Sequence, residues 1–167
     1  MNPKTTLFNA LSALLKEKTT VKTVLFFNNQ FEKEKSERPK LFPCVLVEFA
    51  NLDYISKSES LQEGDTTIRL HVGLESLAEQ EQKVLEVIDE IHFFLQNWSI
   101  ADLTSPLDRK NERQDSDHDS LIVWQVEYNT LLSDNSANRR RKLVRMESID
   151  NLDNSKETEP AYLTPSS

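Results

Sequence analysis

The sequence predicts a single α+β domain, a mostly antiparallel sheet packed by two helices in the order α-β-β-β-β-α-β-β, with an extended polar C-terminal arm. Two segments carry apolar residues at helical spacing, and several others alternate apolar and polar residues with the period of a strand. That alternation ends near Ser133. The 167 residues, 37% of them hydrophobic, suffice for one core. We therefore expect a domain over residues 1–133 and an arm over residues 134–167.

The first helix is indicated by apolar residues on one stripe, close to threonines that can cap a helix. Thr5 or Thr6 can accept a hydrogen bond from a free backbone N–H of the first turn. Lys16 and Lys18 are suitably placed for the negative end of the helix dipole. The stripe consists of Leu7, Phe8, Leu11, Leu14 and Leu15. A helix with one buried face is therefore expected at the start of the domain.

Four strands are predicted between the two helices. Residues 21–27 are rich in β-branched and aromatic side chains, and residues 42–49 alternate in the manner of a buried strand. A short third strand is expected over residues 53–57. A turn at residues 63–65 then leads into a fourth strand over residues 66–74, whose alternate side chains face opposite sides of the sheet.

The longest helix is predicted to begin at Ser76. A serine followed three residues later by Glu79 forms a capping box, in which each side chain satisfies a free backbone donor of the other residue. Helical spacing of apolar residues continues from there to Trp98, over about six turns. Acidic residues populate the other sides, so we expect this helix to pack on the sheet.

Two further strands are expected after this helix. Residues 103–113 include Pro106 and predict an edge strand, because proline cannot donate to a sheet ladder. A charged loop over residues 115–119 precedes residues 121–132, which give the clearest alternation in the chain. One face of that last strand is predicted to carry Ile122, Trp124, Val126 and Tyr128.

The distribution of charge argues against DNA wrapping by the domain. Residues 1–134 hold 14 Lys and Arg against 23 Asp and Glu, a net charge of −9, and residues 135–167 hold 6 against 5, a net charge of +1. Nucleic-acid binding rests largely on Lys and Arg that displace the counterions of phosphate groups. An acidic body therefore disfavours a DNA-binding function for the globular part.

The usual signatures of catalysis and of cofactor binding are missing from the sequence. Its two glycines, Gly64 and Gly73, cannot supply a glycine-rich phosphate loop, and no Gly-x-Ser-x-Gly motif occurs. Cys44 is the single cysteine, and its apolar neighbours predict a buried thiol in a reducing compartment rather than a nucleophile. We therefore expect no enzyme activity and no cofactor.

One acidic motif resembles half of a metal site. Asp115, Asp117 and Asp119 have the spacing of the first half of a calcium loop, but the glycine and closing glutamate positions hold Ser120 and Val126. A solvated hairpin loop is the favoured interpretation. Weak cation binding and a cation-dependent nuclease are the alternatives, and no metal is expected.

The three histidines do not predict a metal site either. His71, His92 and His118 lack the spacing that would place two ligands on one helical face. The favoured interpretation of His71, beside Arg69 on the polar face of its strand, is a surface histidine next to a sheet. The alternative places these two residues beside the acidic loop in space.

Membrane insertion and secretion are disfavoured by the apolar pattern. No segment reaches the roughly 18 apolar residues of a membrane span. The amino-terminal residues have no long apolar core followed by a cleavage site. We expect a soluble protein without a membrane partner.

The arm has the composition of a segment that is disordered alone, because it is dominated by polar and charged residues. Its expected contacts with a neighbouring subunit or partner are Arg139, Arg140, Arg141, Lys142, Leu143, Arg145 and Met146. Because the domain is acidic, docking of this cluster on a copy of the chain or on a neighbouring ring is at least as well supported as contact with DNA. We expect the arm to become ordered only on assembly.

Two runs resemble the opening of tail-completion and tail-terminator (head–tail joining) proteins of tailed bacteriophages. They are residues 24–32, Val-Leu-Phe-Phe-Asn-Asn-Gln-Phe-Glu, and residues 41–49, Leu-Phe-Pro-Cys-Val-Leu-Val-Glu-Phe. Residues 66–72, the amphipathic helix around residues 84–95 and the closing strand extend the resemblance over residues 5–132. The arm is outside the core that this family shares.

The resemblance implies a structural virion protein without catalytic residues, which forms a ring at the head–tail junction or the tail terminus. Such a connector ring, of six or twelve copies, joins tail to head and lets DNA pass without specific binding. Its implied partners are further copies of itself and the phage connector, portal or tail-tube proteins, and its implied location is the tail or neck of the virion. The alternative is a non-catalytic acidic protein-binding module, such as a prophage-encoded inhibitor.

Overall fold

The domain is built on one five-stranded sheet, and the computed structural model describes residues 2–59, 61–75, 81–116, 118 and 120–136. The elements are α1 (Pro3–Lys18), β1 (Thr23–Phe26), β2 (Cys44–Ser56), β3 (Gln62–Glu75), α2 (Glu81–Leu95), β4 (Asp108–Asp115) and β5 (Leu121–Asp134). The strands lie in the order β1-β2-β3-β5-β4. β1 is parallel to β2, and the other neighbouring pairs are antiparallel. The α+β class, with a mostly antiparallel sheet and two helices, is confirmed.

Helix α1 begins one turn earlier than the predicted threonine caps. The side chain of Asn2 is the N-cap and accepts a hydrogen bond from the backbone N–H of Lys4 at 2.9 Å. Pro3 occupies the start of the helix, where its missing N–H would have no partner in any case. Thr6 instead donates its hydroxyl to the carbonyl of Asn2 at 3.2 Å. The predicted cap at Thr5 or Thr6 was therefore wrong.

The second and third predicted strands run together as β2. Both segments are strand, as expected, but pairing with β3 continues between them, with a shift of register between Phe49 and Asn51. Such a shift is typical of a β-bulge, which bends a strand without ending it. The interval that separates the two predicted strands is therefore an irregularity within one strand of the five-stranded sheet.

The turn predicted at residues 63–65 was also wrong. Gly64 lies inside β3, where its Cα is paired with that of Tyr54 in β2 and with that of Leu132 in β5. The hairpin turn instead lies between Ser56 and Gln62. Hydrogen bonding to two neighbouring strands holds the segment extended despite the turn preference of its glycine and acidic residues.

Helix α2 ends earlier in the chain than predicted. Its predicted start, the capping box of residues 76–79, lies outside the described residues, which include the helix from Glu81 onward. It ends at Leu95 rather than near Trp98, because Asn97 adopts a left-handed backbone conformation with φ of 63° that terminates helices. Trp98 still packs, partly buried, against the core.

Strand β4 is an edge strand, as predicted, although it lies later in the chain than expected. Its eight residues begin at Asp108, after Pro106, and pair with β5 alone among the described strands. Of the predicted segment, Thr104 forms a single isolated bridge with Leu132. The proline therefore marks the approach to the strand rather than a position within it.

Both helices cover one face of the sheet, which we call the first face. Its core contains Leu7, Leu11 and Leu15 of α1, Val84, Ile88, Ile91 and Leu95 of α2, Val45 and Val47 of β2, Ile68, Leu70 and Val72 of β3, and Val126 and Tyr128 of β5. Ile122 and Trp124 pack against it partly buried, so the predicted common face of the last strand is confirmed. The opposite side of the sheet, the second face, has no helix over it among the described residues.

Candidate functional site

The contact residues predicted for the arm cannot be placed on the domain. Arg139, Arg140, Arg141, Lys142, Leu143, Arg145 and Met146 lie outside the described residues, as do Asp117 and Asp119 of the acidic loop. The candidate site is therefore assembled from surfaces of the domain. Three surfaces stand out: a polar cluster on the second face, an open acidic region of that face, and an aromatic strand edge.

One end of the second face is covered by the loop between β1 and β2. Phe27, Phe31 and Phe42 of this loop pack on Cys44, Leu46, Leu121 and Val123, forming a second apolar cluster. Gly73 lies directly below Phe31, since a Cβ atom on this glycine would come within 2.5 Å of the ring. The missing side chain thus allows the loop to approach the strand closely. We call this region the covered end.

Cys44 lies within the covered end and is inaccessible to solvent. Burial disfavours the charged thiolate and raises the pKa of Cys44 to about 12. The prediction of a buried thiol in the core is therefore confirmed. At neutral pH the group is an inert hydrophobic side chain rather than a nucleophile.

The polar cluster begins where three strands place opposite charges side by side. The Cα atoms of Glu48, Arg69 and Glu127 are register partners across β2, β3 and β5. Arg69 donates from Nε to Glu127 Oε1 at 2.8 Å and from Nη1 to Glu48 Oε2 at 3.0 Å. All three side chains are between 20% and 26% exposed, which makes these contacts stronger than ordinary surface ion pairs.

A second chain of hydrogen bonds continues the cluster toward β4. Arg113 donates twice to Gln125 Oε1, at 3.0 and 2.8 Å, and Gln125 donates to Asp115 Oδ2 at 2.8 Å. The same oxygen lies 3.1 Å from Nε2 of His118, whose side chain is only 7% exposed. Nδ1 of His118 is buried without a hydrogen-bond partner among the described residues.

His71 connects the two halves of the cluster and is not a surface histidine. It is 5% exposed, stacks on Phe27 with a ring separation of 4.1 Å, and lies 2.9 Å from Glu48 Oε2 through Nε2. Burial lowers the pKa of His71, and the hydrogen bond with Glu48 opposes that shift in part. The favoured sequence interpretation was therefore wrong. The alternative is confirmed, since His71 and Arg69 share a cavity of about 210 Å³ with Asp115.

The covering loop supplies the signal that was missing from the sequence around His71. In the sequence, a histidine on the polar face of a strand has the same pattern as a surface residue. Only the contact with Phe27, from a distant segment, buries its ring. The charged side chains of the cluster form their ion pairs and hydrogen bonds with one another. The cluster fixes the loop and the β4–β5 hairpin to the sheet, and among the described residues no three His, Cys, Asp or Glu side chains are placed to hold a metal ion.

The other end of the second face is open, in contrast to the covered end. Its side chains are those of Asn51, Asp53, Ile55, Asp65, Thr67, Asn129 and Leu131, and we call this region the open face. Asp53 and Asp65 are direct cross-strand neighbours, and both are exposed. Neither carboxylate has an ion-pair partner among the described residues, although Asn51 donates to Asp53 Oδ2 at 2.8 Å.

Two aliphatic side chains accompany these carboxylates. Ile55 is 66% exposed and Leu131 is 46% exposed, and both lie on the open face. Directly opposed like charges destabilise a sheet by a fraction of a kcal/mol to about 1 kcal/mol. The open face therefore combines uncompensated negative charge with apolar surface that a single copy leaves in water.

The third candidate surface is the outer edge of β1, which has no neighbouring strand among the described residues. Leu25 is 40% exposed and Phe26 is 55% exposed, on opposite faces of this short strand. The Phe26 ring lies 5.9 Å from that of Phe8 and 6.0 Å from that of Phe49. We call these four residues the aromatic edge.

The opposite edge of the sheet has the reverse chemistry. The eight residues of β4 have the sequence Asp-Arg-Lys-Asn-Glu-Arg-Gln-Asp, and six of them are exposed. Arg109 and Glu112 form an ion pair at 3.0 Å within this strand, and Lys110 pairs with Asp108. Charged edge strands resist pairing with other chains, whereas apolar edges favour it. The two edges are therefore not equivalent as association surfaces.

Within the described ranges, no helix is both long enough and apolar enough to cross a lipid bilayer.

No protein-family model matches the chain, and a search of curated proteins found no match. The function must therefore be argued from the residues and surfaces of this chain.

Proposed function

We propose that the protein is a structural virion protein that forms a ring at the head–tail junction or tail terminus of a tailed bacteriophage. The residue runs that resemble tail-completion and tail-terminator proteins point to this class. The observation that carries the proposal is the aromatic edge. Leu25 and Phe26 expose apolar side chains along a strand edge that has no neighbouring strand among the described residues, and the Phe26 carbonyl accepts a hydrogen bond from Gln30 Nε2 at 2.7 Å.

A ring requires a heterologous contact, in which one surface of a copy binds a different surface of the next. The domain supports such an arrangement because its two sheet edges differ, one being aromatic and the other charged. Two aromatic edges facing each other would instead give an isologous dimer. The proposed contact is therefore between the aromatic edge of one copy and a surface other than that edge on its neighbour.

The acidic charge of the domain suits a ring through which DNA passes. Residues 1–134 carry a net charge of −9, and an acidic lining repels phosphate groups, so the polymer slides without binding. No catalytic group is needed for this role. The ring would join the tail to the head through contacts with connector, portal or tail-tube proteins.

The first test is the oligomeric state of the full chain and its variants. Native mass spectrometry is expected to show a closed oligomer of six or twelve copies, and Phe26→Asp is expected to shift it toward the monomer. Phe93→Asp is the matched control, because Phe93 is 79% exposed, belongs to α2 rather than to the elements of the aromatic edge, and packs its ring on Phe94. An oligomer that survives Phe26→Asp would show that this edge is not the subunit contact.

The second test concerns the virion. Mass spectrometry of purified particles should detect the protein, and cryo-electron microscopy should place it as a ring in the neck or at the tail end. A gene position between portal or connector genes and a tail-tube gene is the corresponding genomic expectation. A protein that is monomeric at all concentrations and absent from particles would favour the competing binding-module interpretation.

The nuclease alternative has its own test. Replacement of Asp117 and Asp119 by Ala removes two of the three carboxylates of the acidic motif and should leave infectivity nearly unchanged. A divalent-cation-dependent cleavage activity that this double variant abolishes would contradict the non-catalytic role.

A further inference from the structure

The open face has the features of a docking surface for a basic and partly apolar segment. Asp53 and Asp65 lie side by side without a cationic partner among the described residues, and Ile55 and Leu131 flank them with exposed aliphatic surface. A ligand that stabilises this surface must bring positive charge to the carboxylate pair and apolar groups to its flanks.

One segment of the chain itself has this composition. Residues 139–146, which we call the basic segment, read Arg-Arg-Arg-Lys-Leu-Val-Arg-Met. They place five cationic side chains and three apolar ones within eight residues. No other segment of this length in the chain combines as many cationic residues with apolar ones.

The last strand ends close to the open face. β5 ends at Asp134, whose register partner is Gln62, so the chain leaves the sheet at its hairpin end. Leu131 and the carboxylate pair lie behind that point along the strand. Beyond the strand, the backbone N–H of Ser136, the last described residue, donates to Asp134 Oδ1 at 2.8 Å.

Charge favours docking between copies rather than within one copy. Each domain has a net charge of −9 over residues 1–134, so neighbouring domains repel each other at low ionic strength. A basic segment that crosses from one domain to the next offsets this repulsion at the contact. We infer that the basic segment of one copy docks on the open face of a neighbouring copy, with its cations at Asp53 and Asp65 and with Leu143 and Met146 against Ile55 and Leu131.

This inference rests on the proposed function for the presence of neighbouring copies, and its first test is chemical cross-linking of the assembled full chain. A carbodiimide condenses a lysine amine with a nearby carboxylate, with loss of water, and should join Lys142 to Asp53 or Asp65. An equal mixture of ¹⁵N-labelled and unlabelled copies, dissociated and reassembled together, should give cross-linked peptide pairs of mixed isotope content. Lys57 and Glu63, 3.1 Å apart within one copy, are the control pair and should retain a single isotope.

The second test reverses the charges of the surface. Asp53→Lys together with Asp65→Lys should weaken assembly at least tenfold, and Asp53→Asn with Asp65→Asn should weaken it less. Glu34→Lys with Glu37→Lys changes the net charge equally, at two exposed positions of the β1–β2 loop, and should leave assembly within about twofold. Reversal of Arg139, Arg140 and Arg141 to Glu should restore assembly to the Asp53→Lys/Asp65→Lys variant. A thermal melt of each variant checks that the domain is folded.

The outcomes separate this inference from the proposed function. Mixed-isotope pairs between Lys142 and the carboxylates, with compensation by the double reversal, support it. Cross-links between Lys142 and the carboxylates that carry a single isotope only would mean docking within one copy. No such cross-links, while the Lys57–Glu63 control is cross-linked efficiently, would mean that the segment does not dock. Either result overturns the inference. A closed ring that enters particles but gives no mixed-isotope cross-links would support the proposed function and contradict the docking inference. Mixed-isotope cross-links in a protein that is absent from particles would support the docking inference and contradict the proposed function.

Discussion

The two ends of the second sheet face belong to the same three strands, yet they differ in almost every physical property. At the covered end, Phe31 is 2% exposed over Gly73, and Cys44 is inaccessible to solvent. At the open face, by contrast, Ile55 and Leu131 are largely or partly in water. The difference arises because the β1–β2 loop packs over only one end of the sheet.

The side chains at the two ends differ in the same way as their surroundings. Inside the covered end, the positions that face the loop are Cys44, Leu46 and Val123, whereas the corresponding positions further along hold Asp53 and Asp65. Between them lies the polar cluster, in which charges are paired and partly buried. Stability is therefore expected to depend on the covered end and the cluster, and association on the open face and the aromatic edge.

The largest expected effect on stability is the loss of the aromatic cover. Phe31→Ala should lower the free energy of unfolding by about 3–5 kcal/mol, since it removes a buried ring and leaves Gly73 and Val123 beneath a cavity. Urea denaturation followed by circular dichroism measures this change. Ile55→Ala on the open face is the control and should alter the free energy by no more than about 0.5 kcal/mol. Equal changes in free energy for Phe31→Ala and Ile55→Ala would show that stability does not depend more on the covered end than on the open face.

Breaking the polar cluster should have the next largest effect. Arg69→Met leaves Glu48 and Glu127 partly buried without their cation, and we expect a loss of about 1.5–3 kcal/mol in unfolding free energy. Lys57→Met breaks the exposed Lys57–Glu63 pair at the hairpin end and should cost at most about 0.5 kcal/mol. Chemical denaturation of both variants provides the comparison. Equal losses of unfolding free energy in Arg69→Met and Lys57→Met would show that the cluster stabilises the domain no more than the surface pair does.

A smaller effect is expected from adding a single methyl group at the two glycines of the chain. Gly73→Ala should destabilise the domain by about 1–3 kcal/mol, because the added Cβ would lie within 2.5 Å of the buried Phe31 ring. Gly64→Ala places its Cβ 2.9 Å from the Tyr54 ring, which is 36% exposed and has solvent into which it can shift. Thermal unfolding should therefore show a clear decrease for Gly73→Ala and a change near zero for Gly64→Ala. A lower melting temperature for Gly64→Ala than for Gly73→Ala would contradict this order.

The smallest expected effect is a dependence of stability on pH that originates at His71. Burial lowers the pKa of His71 below its ordinary value of 6.5, so the unfolded chain binds more protons than the folded chain between these two values. Its contribution is therefore fully present above pH 6.5 and is lost as pH falls toward the lowered pKa of the folded state. His71→Asn should flatten this part of the stability profile, measured by denaturation between pH 5 and pH 8. His92, whose pKa is also lowered, is retained in both proteins. An unchanged slope would locate the pH dependence elsewhere.

The elements of the fold were predictable because they rest on local patterns. The leucine stripe of α1 and the alternation of β3 and β5 set which side chains enter the core, and Leu11, Leu70 and Val126 are buried as their spacing requires. The buried thiol of Cys44 was predictable for the same reason, since its neighbours in the strand are apolar. The contacts proposed for residues 139–146 stay predictions, because those residues lie outside the described part of the chain.

Other features depended on partners that are distant in the sequence. Gly64 has the composition of a turn around it, but pairing with β2 and β5 keeps it in a strand. His71 has the pattern of an exposed position, but Phe27 and Glu48 enclose it. The periodicity of apolar residues indicates the side of a helix or strand on which each residue lies. The sequence by itself determined these sides. Only the tertiary structure decided how far each strand runs and which end of the second face is covered, because strand pairing and loop packing are contacts between segments whose local patterns carry no record of one another.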